Sequence, residues 1–156
     1  MITRLLLGIV LFFGGAAIAD TAPAPTSEPS EVPQPTLSIV DGAETTLDQF
    51  LWTARPIVVF ADSPADPRFI EQLRFLSTDP DGLLLRDVVV LIDTSPKQKS
   101  ALRETLRPRG FMLVLIDKDG QVKLRKPAPW TVREITRSID KWPTRQQELR
   151  EQLGKE

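Results

Sequence analysis

The chain has no cysteine, no histidine and no tyrosine. Without cysteine there is no disulfide, no thiolate metal ligand and no thiol nucleophile. Without histidine there is no imidazole ligand and no Ser-His-Asp arrangement. A large charge of either sign is missing too. Twenty Lys and Arg against 21 Asp and Glu leave a formal net charge of −1, which gives no electrostatic reason to expect nucleic acid or an anionic membrane as partner. No cofactor and no metal are expected on these grounds. What is present is an ordinary apolar fraction of 41% in 156 residues, room for one domain with a leader and a linker.

Arg4 followed by an apolar run from Leu5 to Phe13, broken only by Gly8, then small residues ending in Ala17-Ile18-Ala19, has the three parts of a secretory signal peptide in order. From Leu5 to Ile18 the apolar stretch is about 14 residues, against roughly 20 for a bilayer span. Cleavage after Ala19 is expected, with an uncleaved inner-membrane anchor as the alternative. The short leader suits a bacterial envelope protein, so the expected address is periplasmic or secreted. A small secreted domain with no disulfide must be stabilised by packing alone.

Residues 20–36 carry Pro23, Pro25, Pro29, Pro33 and Pro35 among Ala, Ser, Thr and Glu. Such a segment joins neither helix nor core and reads as a disordered linker. The domain is expected over 37–143, and 144–156 as a charged tail, either disordered or one weak helix through Leu149 and Leu153.

Within the domain, Leu47, Phe50 and Leu51 fall on one side of a short helix that Thr45 or Thr46 would cap. Ile57 to Phe60, Val88 to Ile92 and Phe111 to Ile116 are unbroken apolar runs rich in β-branched residues, the pattern of strands buried on both faces. Phe69, Ile70, Leu73 and Leu76 recur at helical spacing, and Asp79-Pro80-Asp81-Gly82 reads as a turn. Lys97 to Leu106 reads as a helix with Leu102 and Leu106 inward. Asp117-Lys118-Asp119-Gly120 is a hairpin turn into Gln121 to Lys126, whose alternating charges suit an edge strand. This turn superficially matches the start of a calcium loop but lacks the later ligands. Thr131-Val132-Arg133-Glu134 is a capping box opening a helix that Pro143 would close.

Helix, strand, helix, strand, helix, then a hairpin and a last helix resembles the thioredoxin fold, and an α/β domain with a central mixed sheet of four to five strands and helices on both faces is expected. Thr46-Leu47-Asp48-Gln49-Phe50 before Pro56-Ile57-Val58-Val59-Phe60, and Leu115 to Val122, are similar to the peroxiredoxin and thiol-reductase branches. The chain further resembles a family of small cysteine-free bacterial secreted proteins described as domain of unknown function 4174.

The thioredoxin resemblance implies an address for the missing thiols. Counted from Phe60, the C-x-x-C positions fall on Ala65-Asp66-Pro67-Arg68, with a shifted register at Ser63-Pro64-Ala65-Asp66; neither can exchange disulfides. The cis-proline expected before the third strand is replaced by Gly110-Phe111. Two loops should therefore meet, one carrying Asp62, Ser63, Asp66 and Arg68, the other Arg107 and Arg109. Asp62 or Asp66 is expected to pair with Arg109. Trp130 reads either as a hydrophobic staple before the Thr131 cap or as an exposed anchor for a partner. Lys123, Arg125, Lys126, Arg133 and Arg137 form a mildly basic stripe. Two functions stay open: a non-catalytic module that binds an envelope protein or peptide, and a cysteine-independent enzyme using Asp, Ser and Arg at the thiol-site loop.

Overall fold

The computed structural model describes residues 36–154; the expected signal peptide and nearly all of the proline-rich linker lie outside them. Three parallel strands, β1 (Ile39–Asp41), β3 (Val88–Asp93) and β2 (Arg55–Phe60), lie side by side in that order. β4 (Met112–Ile116) then pairs antiparallel with β2, and β5 (Val122–Lys126) antiparallel with β4. This is the expected mixed sheet, with five strands. The first strand read from sequence starts at Ile57; β1 is an addition, a short edge strand with little apolar signal of its own.

Strand alternation divides the core into two layers. Ile57, Val59, Val90, Leu113 and Leu115 face α1 (Pro67–Leu76), α2 (Pro80–Leu84) and α4 (Val132–Ile139) through Phe69, Leu76, Leu83, Ile135 and Ile139. Val58, Phe60, Leu91, Val114 and Ile116 face the opposite way, onto α3 (Ala101–Leu106) and the 3₁₀ turn Leu47–Phe50. The sheet is thus covered on both faces, which is why its central strands carry no polar alternation.

Several elements differ from the sequence reading. Thr46 occupies the cap position of the 3₁₀ turn without a capping bond, its hydroxyl accepting from the Gln49 amide at 3.3 Å instead, and the Thr45 hydroxyl donates to the Asp41 carbonyl. In α1, Ile70 is 55% exposed, and Gln72 takes the buried place between Phe69 and Leu76. Its amide is satisfied at both ends, donating to the Trp130 carbonyl at 2.9 Å and accepting from the Trp130 N–H at 2.8 Å. The Asp79–Gly82 turn is the start of α2, where Asp79 accepts from the Gly82 N–H and Pro80 sits in the first turn. α3 begins only at Ala101, since Ser100 caps it. It ends at Arg107 in the left-handed region (φ 48), before Pro108 is reached. Gly120, at φ +79, supplies the left-handed residue the β4–β5 turn requires.

The capping box of α4 is complete, Thr131 and Glu134 exchanging bonds. Pro143 opens a further helix, α5 (Pro143–Leu153), in the segment read as a tail. A buried ion-pair network ties this helix to the sheet. The register that sets Ile57 opposite Leu115 carries Arg55 opposite Asp117. Arg55 is fully buried; its Nε donates to Asp117 at 3.0 Å, one terminal nitrogen to the Arg86 carbonyl at 3.0 Å, and the other to Glu148 on α5 at 2.9 Å. Thr144 donates to the second Asp117 oxygen at 2.6 Å.

Candidate functional site

The residues at the implied thiol positions lie where β2 runs out into α1. Beneath them the end of β3 anchors the loop. Asp93, buried, accepts from Ser100 at 2.5 Å and from Arg103 Nε at 2.8 Å. Arg103 also donates to the Ala61 carbonyl at 2.7 Å and lies over the Phe60 ring at 5.4 Å. Burial disfavours the Asp93 charge, but the bonds from Ser100, Arg103 and the Ser95 N–H outweigh it and hold the carboxyl below its ordinary range. This network fixes the backbone from which the next residues project.

Of those residues, Asp66 caps α1 and Pro67 takes its first turn. The third position of the Ala65-to-Arg68 register is therefore a helix-opening proline. Arg68, two residues on, folds back. Its N–H and guanidinium bond Asp66 at 2.9–3.3 Å, and its guanidinium lies over the Phe111 ring at 5.4 Å. The Arg68 bonds keep the Asp66 carboxyl below its usual range. Ser63 is turned into its own loop, accepting from the Ala65 N–H at 3.1 Å.

The two loops do meet. Gly110, at φ +60, stands before β4, and a Cβ there would lie 3.8 Å from Asp62 Oδ2. The expected pairing with Arg109 does not form, because Arg68 reaches Asp66 along the same short stretch of chain with almost no closure cost. Arg107 and Arg109 are exposed and make no ion pair among the described residues. Asp62 also borders a hollow of about 350 Å³ whose other walls include Ser95, Lys97 and Gln98. This end of the domain therefore brings together Asp62, Asp66, Arg68 and Gly110. It leaves Ser63, Arg107 and Arg109 outside any shared centre.

Trp130 is half-buried in the main core layer with Ile135, the pair that forms a hydrophobic staple around the Thr131 cap, and Lys126 Nζ lies 4.6 Å from its ring centroid. Within the basic stripe, Arg125 donates to the Leu106 carbonyl at the end of α3, and Lys123 pairs with Asp119 at 3.3 Å.

The opposite end of β2 was not singled out from sequence. Trp52 is 72% exposed and has a positive φ of 62, and its N–H donates to the Lys118 carbonyl at 2.8 Å. Lys118 Nζ bridges Asp87 at 2.7 Å and Glu148 at 3.0 Å. Burial opposes the Glu148 charge, but Arg55, Lys118 and Arg145 surround it and bring its pKa from the ordinary 4.5 to about 2. A usable signal was an arginine directly ahead of a fully apolar strand, with an aspartate ending the strand paired to it.

Among the described residues no group of acidic side chains is arranged to hold a metal ion, and no helix is long and apolar enough to cross a membrane. A family model described as Domain of unknown function (DUF4174) matches residues 46–148. The Sushi repeat-containing protein SRPX2 of Rattus norvegicus is 31% identical over 127 residues, covering 70% of this chain and 27% of the relative. Its Homo sapiens counterpart is 30% identical over the same length, and the chain again spans 27% of it. Among solved structures, a reduced 2-Cys peroxiredoxin of Plasmodium vivax superimposes with a TM-score of 0.51 at 18% identity, over 62% of this chain and 81% of that one. Chloroplastic thioredoxin z also reaches 0.51, at 21% identity, over 68% and 93%. These likenesses establish a thioredoxin-like fold.

Proposed function

The chain belongs to the DUF4174 family, and we propose that it is a binding module of the bacterial envelope that works without thiol chemistry. One observation carries this reading. The side chains at the implied thiol positions have structural tasks: Asp66 caps α1, and Arg68 is spent on Asp66 and on the Phe111 ring. A reacting centre needs groups aimed at a common point, and here they are aimed at each other. The SRPX2 relatives support the module reading as well. A segment similar to this chain makes up 27% of a chain whose name describes sushi repeats, so a comparable domain stands beside other modules there.

The leader supports export, with cleavage after Ala19 and action in the periplasm or outside the cell. The second reading, an enzyme without cysteine, draws on Asp62, whose carboxylate makes no ion pair among the described residues and borders a hollow with Lys97. In-cell crosslinking separates the two. Exported protein that begins at Asp20 and is joined repeatedly to the same envelope protein supports the module. A deletion phenotype that Asp62→Asn fails to rescue while Ser63→Ala and Arg109→Ala do rescue it, with no recurrent partner, supports the enzyme and overturns the module.

A further inference from the structure

At the pole opposite the thiol-site loop, three features coincide. The first is Trp52. A bulky side chain in the left-handed region is strained, and where loop geometry alone matters glycine or asparagine takes such a place. Here an indole is held there and presented to solvent. The second is relief. Trp52 forms one wall of a hollow of about 320 Å³ that also includes Lys118, Glu148 and Glu151. Beside it lies a largely apolar hollow of about 660 Å³ formed by Leu84 and Leu85 with Asp81 and Asp87, and Leu85 is 71% exposed. The Lys118–Asp87 ion pair joins the two, Lys118 from one wall and Asp87 from the other.

The third feature is charge. Lys118 is the cation lining these hollows, and Asp87 and Glu148 already neutralise it at 2.7 and 3.0 Å. Two further carboxylates line the hollows. Among the described residues Asp81 and Glu151 make no ion pair, and Glu151 accepts from the Gln147 amide at 2.8 Å. The surface thus offers an aromatic face, two carboxylates that make no ion pair among the described residues, and an apolar hollow. A guanidinium or ammonium group stacks on an indole and pairs with a carboxylate at once.

We propose that this pole binds a basic segment of a partner protein, seating an aliphatic side chain against Leu85 and an arginine or lysine between Trp52 and Glu151. The proposal rests on the binding-module reading and places its contact surface away from the thiol-site loop.

The test is selection of phage-displayed random heptapeptides on the purified full chain, followed by calorimetric titration of the selected peptides. Arg or Lys beside an aliphatic residue should be enriched. Trp52→Gly should weaken binding about tenfold or more, while its melting temperature holds or rises because the backbone strain is relieved. Glu151→Gln should weaken it about threefold or more. Asp62→Asn and Arg109→Ala should leave affinity within about twofold, as expected of substitutions remote from the contact. Acidic or uncharged consensus peptides, or affinity insensitive to Trp52→Gly and Glu151→Gln, overturn the proposal. Peptides whose binding fails only in Asp62→Asn or Arg109→Ala overturn this placement but leave the module reading intact. No selected peptide, together with no recurrent crosslinked partner, removes both.

Discussion

Arg55→Met should be among the most damaging single changes in the domain. The guanidinium is fully buried and bonds Asp117, the Arg86 carbonyl and Glu148 at 2.9–3.0 Å, with a longer contact to Thr144 at 3.4 Å. Methionine fills similar space, so packing loss is secondary. The main cost is Asp117, which is 1% exposed and would lose its principal cation. Removing one member of a buried pair costs about 3–5 kcal/mol. Asp117 keeps the Thr144 hydroxyl at 2.6 Å and the Lys118 N–H at 2.9 Å, which places the expected loss near the lower end, about 3 kcal/mol. For a domain of this size that is roughly a 10 °C fall in melting temperature, read by circular dichroism and by urea titration. Arg55→Met with Asp117→Asn removes both charges; the Asn oxygen still accepts from the Lys118 N–H, and its NH2 donates to the Thr144 hydroxyl. The double variant should be less destabilised than the sum of the two single variants by about 1–3 kcal/mol. A single-variant loss below about 1 kcal/mol, the range of an exposed pair, or strict additivity in the double variant, would refute the assignment of the network as a buried, coupled unit.

The same network sets a pH dependence. The Glu148 pKa is about 2 in the folded protein against an ordinary 4.5, so its contribution is fully present above about 4.5 and is lost as pH falls toward 2. Urea midpoints at pH 7 and pH 3 should differ less in Glu148→Gln than in the parent, and an equal difference contradicts the assignment. At the other pole, Ala65→Cys with Arg68→Cys should form an intramolecular disulfide on mild oxidation, with the first thiol below the ordinary pKa of about 8.5 because it precedes a helix N-terminus. Ser63→Cys with Asp66→Cys should not, and maleimide trapping with mass analysis that finds the reverse would show the register to be misplaced.

The parts of the fold that were legible in sequence are those determined locally or by simple burial. An unbroken run such as Ile57 to Phe60 has few homes except a strand covered on both faces. The α4 capping box and the Asp119-Gly120 turn involve neighbours only, and both form. What was not legible depends on partners far along the chain. Gln72 outranks Ile70 for the inner face of α1 because its amide meets the Trp130 backbone 58 residues away. α5 has only Arg145 buried and little apolar pattern. Its attachment comes through Glu148 to Arg55, 93 residues apart. At the candidate site the error ran the other way. A long-range Arg109 pair was expected where Arg68, two residues from Asp66, wins by proximity.

The buried pair and the strained tryptophan belong to one physical argument. A buried ion pair is a weak source of net stability, since well-packed apolar residues often serve as well. What it contributes is fixed geometry. Arg55 holds Glu148, Glu148 and Asp87 hold the Lys118 ammonium, and the Lys118 carbonyl holds the Trp52 N–H. The Arg55 N–H, bonded to the Asp87 carbonyl at 2.7 Å, fixes the second left-handed residue of this pole, Asp87 at φ 53. Strained backbone persists only where its surroundings over-determine it, and this chain of contacts supplies that excess of constraint at both residues. At the thiol-site end no comparable strain is held in the β2–α1 loop, and Asp66 and Arg68 close on each other. The two ends of β2 therefore differ: at one, Asp66 and Arg68 close on each other, and the other is held in a costly shape with an indole facing outward beside carboxylates that make no ion pair among the described residues.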